Sequence, residues 1–241
     1  MTYDLQWKDA DMEVMTALAL MLGGFLCWYY LSHSPWLRQR LERRYGADWG
    51  QAYQVVIRRI LGLVFYGILP AAVLLVTQPY RGADYGLAFP FSAEAAYWAI
   101  GLSLVLAALA SYAARKPESW ASYPEIRMAE WRRRTLILSM ASWGGYMIGY
   151  EFAFRGYLLF AGVRAFGVWP AIAISTVIYS LVHVLKNRQE ALGAIPLGIL
   201  LCVITLRTGS IVVPVVVHSI MAFANNWFSL KHHPEMRLMR E

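Results

Sequence analysis

Three apolar stretches of this 241-residue chain carry ionisable side chains. Gly149 to Gly156 reads Gly-Tyr-Glu-Phe-Ala-Phe-Arg-Gly and holds Glu151 and Arg155. Tyr179-Ser-Leu-Val-His183 contributes His183, and Pro214 to His218 brings His218 into the middle of the last apolar run. A titratable group inside a membrane helix is costly unless paired or hydrated, so each of these is a candidate functional residue. Glu151 and Arg155 are four apart on one helix face and can simply neutralise each other. Either histidine alone is equally consistent with a hydrogen-bonded core residue. Taken together, a glutamate and two histidines describe a site that activates water. A carboxylate in an apolar pocket can act as a general base near neutrality, and histidine can hold the same water or donate to a developing oxyanion. The trio Glu151, His183 and His218 is also a hydrolytic zinc set, two histidines and a carboxylate with an open position. The His-Glu-x-x-His spacing is absent and Arg155 disfavours a second cation beside Glu151, so the expectation is a site without metal or other cofactor.

The elements that must position these residues are membrane helices. The chain is 59% hydrophobic, with mean hydropathy +0.43, against about half for a soluble domain. The apolar residues fall in about seven runs near the length that crosses a hydrocarbon core: Glu13–Leu31, Ile60–Thr77, Ala95–Ala114, Thr135–Val163, Trp169–Leu185, Ala191–Leu206 and Ile211–Leu230. The expected fold is all-α, a polytopic bundle. Asp4, Asp9, Asp11 and Glu13 around Lys8 do not read as a secretory leader. At about 1.5 Å per residue, Glu151, His183 and His218 lie at depths of about 16, 21 and 11 Å from the outer ends of their spans, so one layer can hold all three.

The net charge of +7 follows topology. Arg38, Arg40, Arg43, Arg44, Arg58 and Arg59 precede the second run. Arg115, Lys116, Arg127 and Arg132 to Arg134 precede the fourth. Lys186 and Arg188 follow the fifth, and Lys231, Arg237 and Arg240 lie in the tail. The intervening loops carry only Arg81, Arg164 and Arg207. This alternation predicts an outside N-terminus and a cytoplasmic C-terminus, and it makes nucleic acid an unneeded partner. Cys27 and Cys202 lie in apolar runs without metal spacing.

Ser32–Arg59 interleaves Trp36, Leu37, Leu41, Tyr45 and Trp49 with arginines, as in a basic amphipathic helix on the membrane face. Gln78–Ala93, with Pro79, Gly82, Gly86 and Pro90, reads as an irregular external loop. Gly145-Tyr-Met-Ile-Gly149 is a small-xxx-small pattern that admits a close neighbouring helix, which is expected to bring Glu151 a polar partner. Pro214 is expected to kink its helix and free a carbonyl near His218. Trp28, Trp98, Trp169 and Trp227 are expected as interfacial anchors, and His232 and His233 as surface residues.

These three segments resemble the motifs of the CPBP family, which includes the Rce1-type CAAX prenyl proteases and bacterial Abi proteins. The family pattern is Glu-Glu-x-x-x-Arg, Phe-x-x-x-His and His-x-x-x-Asn or Asp. Here it reads Tyr150-Glu151-x-x-x-Arg155, Tyr179-x-x-x-His183 and His218-x-x-x-Ala222. Order and spacing agree over roughly Thr135–Leu230. Tyr150 stands where the family's water-activating glutamate is usual, and Ala222 where an oxyanion donor is usual; Asn225 is too far along the helix to replace it simply. The hydroxyl of Tyr179, in place of phenylalanine, is placed to bond His183.

The resemblance implies a CPBP-like four-helix catalytic core at residues 135–230, after a three-span scaffold at 1–134 and before a basic tail at 231–241. It implies an intramembrane endopeptidase acting near the membrane-embedded end of a protein or peptide, with membrane lipid and a membrane-associated or lipidated substrate as partners. The bacterial members point to a multi-pass protein of a bacterial inner membrane. Glu151 is then the base, His183 the water holder, His218 the oxyanion stabiliser and Arg155 the support of Glu151. The rival readings are an inactive scaffold, immunity or sorting partner that keeps the fold, and a transporter. The repeated halves of many transporters are not visible in this chain.

Overall fold

The computed structural model describes residues 6–77, 79–89 and 92–239. Asp4, Gln78, Pro90 and Arg240 lie outside them. The described chain is an all-α bundle, and the protein is a multi-pass membrane protein. Helix α1 is Asp9–Ser32, α2 Pro35–Gly62 and α3 Leu69–Thr77, with a π turn at Leu63–Ile68 joining α2 to α3. Then come α4 (Ala93–Ala113), the short α5 (Pro117–Ser122), α6 (Arg133–Glu151), a second π turn (Phe152–Leu158), α7 (Leu159–Phe166), α8 (Val168–His183), α9 (Arg188–Thr208) and α10 (Val212–His232).

All seven apolar runs lie in helices apart from one or two terminal residues. By length and composition, five helical stretches among the described residues suffice to cross a membrane: α1, the continuous α2–α3, α4, α9 and α10. The fourth run is divided by its π turn between α6 and α7. Helix α8 is apolar but has only 16 residues. The basic segment before the second span is helical, and a sharp bend at Gly46, with φ of 80°, separates Pro35–Tyr45 from the rest of α2. A side chain at that φ is strained, which is why glycine stands there.

The small-residue pattern of α6 has a partner, though an apolar one. A Cβ on Gly149 would come within 2.9 Å of the Leu63 Cα, and one on Gly67 within 2.8 Å of the Gly149 Cα. The two π-containing helices therefore touch backbone to backbone at Gly67 and Gly149, and this contact brings Glu151 no polar group. Gly149→Val would force the helices apart. Overpacking of this kind costs about 1–3 kcal/mol, and a lower Tm of the purified variant in detergent measures it.

Two tiers of polar contacts close the ends of the bundle. At one end the basic segments meet: Arg58 and Arg59 donate to Glu125 at 2.9 and 3.1 Å, Lys186 approaches Glu125 at 3.9 Å, and the tail strand Arg237–Leu238 pairs with Glu130–Trp131. At the other end Arg164 and Tyr85 donate to Glu13, Arg207 pairs with Glu94 at 2.8 Å, and Leu87 bridges to Ser210. The alternation of charge along the sequence thus corresponds to two opposite ends of the bundle.

Two expectations are corrected. Pro214 lies in the first turn of α10, where a helix has no use for its N–H, so it starts the helix instead of kinking it. A proline does stand inside α9, at Pro196. Trp28 is buried and donates its indole N–H to the Arg58 carbonyl at 2.9 Å, so it anchors α1 to α2 and not to the interface. Trp169, by contrast, is 73% exposed, as an interfacial anchor would be.

Candidate functional site

Glu151 is the last residue of α6, and the π turn that follows carries Arg155. A π turn holds one residue more than an α turn and is found frequently at functional sites. Arg155 Nη1 lies 3.2 Å from Glu151 Oε2, and both side chains are fully enclosed. The Arg155 guanidinium also lies over the Tyr179 ring, 4.0 Å from its centre. Helix α10 brings His218 against the same carboxylate: Nδ1 bonds Glu151 Oε1. On its other side His218 Nε2 is 2.8 Å from the Tyr179 hydroxyl. Helix α8 supplies Tyr179 and, one turn later, His183, whose Nδ1 is 2.8 Å from the Tyr179 carbonyl.

The proton positions follow from the acceptors. A carbonyl only accepts, so His183 carries its proton on Nδ1 and leaves Nε2 with a free lone pair. The Glu151 carboxylate accepts from His218 Nδ1–H, and the Tyr179 hydroxyl donates to His218 Nε2. Arg155, Glu151, His218 and Tyr179 thus form one chain of bonds, and the Tyr179 backbone extends it to His183.

The four residues singled out by sequence are brought together, but they face different ways. A cavity of about 780 Å³ is bordered by Tyr150, Tyr179, His183 and His218, with apolar walls from α4 and α9 that include Leu106 and Leu197. Glu151 and Arg155 do not border it; the carboxylate reaches the cavity only through His218. Both nitrogens of His218 are occupied, so it has no free N–H for a substrate. The Tyr179 hydroxyl bonds His218 and not His183, because the ring of a residue one turn earlier points past its own helix toward α10.

The donor set does not fit zinc. Among the described residues no group of three or more His, Cys, Asp or Glu is arranged to hold a metal ion. His218 has no free lone pair, and Glu151 is held by a cation and a ring N–H.

Sequence reasoning missed Glu125. It borders the same cavity with Arg58, Arg59, Lys186 and Glu190. Burial works against its charge, but Arg59, Lys186 and Arg58 outweigh that and bring its pKa down to about 2. His233, expected at the surface, is half-covered by Trp120, with ring centres 6.1 Å apart.

Residues 132–224 match the family model of Rce1-like proteins, described as type II CAAX prenyl endopeptidase Rce1-like. That stretch runs from the start of α6 into α10 and contains Glu151, Arg155, His183 and His218. The match covers the stretch that carries the three motifs, and α1 to α5 lie outside it. No curated protein and no solved structure matched the chain.

Proposed function

We propose that this chain, Rce1-like over residues 132–224, is an intramembrane endopeptidase that cleaves a protein or peptide near its membrane-embedded end. The observation that carries the reading is the free Nε2 lone pair of His183 at a cavity whose other polar wall is the Glu151–His218–Tyr179 chain. Water held at His183 Nε2 attacks the scissile carbonyl carbon. Its proton passes to that nitrogen as the new C–O bond forms and the carbonyl π pair moves to oxygen. Collapse of the tetrahedral species breaks the C–N bond, and His183 returns the proton to the leaving amine. Glu151 acts from behind His218, fixing its ring and the Tyr179 hydroxyl, and Arg155 holds Glu151. This assignment moves the base from Glu151 to His183, because Glu151 does not border the cavity and His218 has both nitrogens occupied, whereas His183 offers it an acceptor.

The apolar walls between α4 and α9 suit an acyl, prenyl or apolar peptide segment entering from the lipid. The test uses the full chain in nanodiscs with two fluorogenic probes, a peptide ending in a prenylated Cys-aliphatic-aliphatic-X tail and an unmodified transmembrane peptide. Cleavage of at least one, unchanged by chelator, is the expected result. Failure to cleave either speaks for the scaffold reading.

The end of the bundle that gathers Arg58, Arg59, Glu125 and Lys186 is assigned to the cytoplasm by its positive charge. Reporter fusions after Trp49 and after Glu125 should report cytoplasm, and a fusion after Gly82 the other side. A cytoplasmic signal at Gly82 reverses the orientation.

A further inference from the structure

We propose that the Tyr150 hydroxyl is the hydrogen-bond donor for the oxyanion, an inference that rests on the endopeptidase reading. Tyr150 is buried, and its hydroxyl has no hydrogen-bond partner among the described residues. A buried polar group left unpaired needs an explanation. Tyr66 and Tyr157 carry unpartnered hydroxyls too, but neither borders the cavity, whereas Tyr150 does. Its ring centre is 6.2 Å from that of His183 and 6.2 Å from that of His218, so it stands beside the space where water and carbonyl meet.

The ring is held before any substrate arrives. Phe154 lies 4.7 Å away, Tyr146 stacks at 5.5 Å, and Tyr66 and Tyr179 close the other sides. A donor fixed in advance in a water-poor site costs little reorganisation when charge develops, and this makes such groups effective. Trp143 Nε1 is also unpartnered at this cavity, but its ring meets Tyr146 and not His183 or His218, and the other donors are poorer. Both nitrogens of His218 are occupied. Ala222, one turn beyond His218, has no polar side-chain atom. Asn225 borders the cavity, but along the helix it lies about 10 Å from His218. Arg58 is tied to Glu125, and Lys186 stands between Glu125 and Glu190.

Tyr150→Phe removes the donor and keeps the ring. With whichever nanodisc probe the wild type cleaves, kcat should fall about 100-fold while KM stays within about twofold, the usual cost of one lost oxyanion donor. Ala222→Asn added to Tyr150→Phe places an amide at the same cavity wall and should restore part of the loss. A second measurement covers failure of Tyr150→Phe to fold: trifluorotyrosine at position 150 keeps the shape and makes the hydroxyl more acidic. A stronger donor should raise kcat at neutral pH by at least about threefold while KM stays within about twofold. Wild-type kcat in Tyr150→Phe, or in the fluorinated enzyme, overturns the assignment and leaves the endopeptidase reading standing. No cleavage of either probe by the wild type overturns both.

Discussion

His183→Ala is expected to lower kcat for peptide hydrolysis by about 100- to 10,000-fold, the range for loss of a general acid–base group, with little change in Tm. The side chain is only partly buried. It is held by the bond from Nδ1–H to the Tyr179 carbonyl, and that carbonyl lies within a helix that still supports it when the ring is gone. Glu151→Gln is a less informative variant. It removes the only counter-ion of Arg155 among the described residues while the guanidinium remains fully enclosed, and breaking a buried pair costs about 3–5 kcal/mol. Loss of activity there mixes folding with chemistry. Single-turnover rates beside a melting curve separate the two for His183→Ala. A variant that cleaves at the wild-type rate removes His183 from the role of base.

The second large effect is on stability. Glu125→Gln leaves Arg59, only 2% exposed, beside Arg58 and Lys186 with no shared carboxylate. The bonds from Arg59 to Ser139 and Ser142 and its stacking over Trp143 remain, so the guanidinium stays in place uncompensated. The expected cost is again about 3–5 kcal/mol. Acid supplies an independent check. The folded pKa of Glu125 is depressed to about 2, against about 4.3 for an unfolded glutamate. Its stabilisation is therefore fully present above about pH 4.3 and lost as pH falls toward 2. Wild-type Tm should drop through that window by more than Glu125→Gln does. Parallel curves for the two proteins would show that Glu125 is not the hub of this end.

The helices were legible because apolar runs of membrane length leave few alternatives, and the two ends of the bundle were legible because arginines alternate between loops. The trio Glu151, His183 and His218 stood out because ionisable groups in such runs are rare. What decided its chemistry was not legible. Whether Glu151 or His183 faces the cavity depends on how α6 and α8 are rotated about their axes, which one-dimensional spacing does not contain. The π turn at Phe152–Leu158 adds to that rotation and has no sequence signature here. Gly149 announced a close neighbour, but its identity, Gly67, depends on the pairing of distant helices. Pro214 misled because its effect depends on where α10 begins, two residues earlier, at Val212. Proximity along one helix pairs the Tyr179 hydroxyl with His183, whereas it crosses to His218 on α10.

The central claim is that this protein hydrolyses a peptide bond with water held at His183. The most direct measurement is cleavage of the two nanodisc probes in water enriched in oxygen-18, with mass analysis of the N-terminal product. One heavy oxygen is predicted in the newly formed carboxylate after a single turnover by the wild type, and no product in the same time from His183→Ala. Intact probes, or the same labelled product at the same rate from His183→Ala, would contradict it.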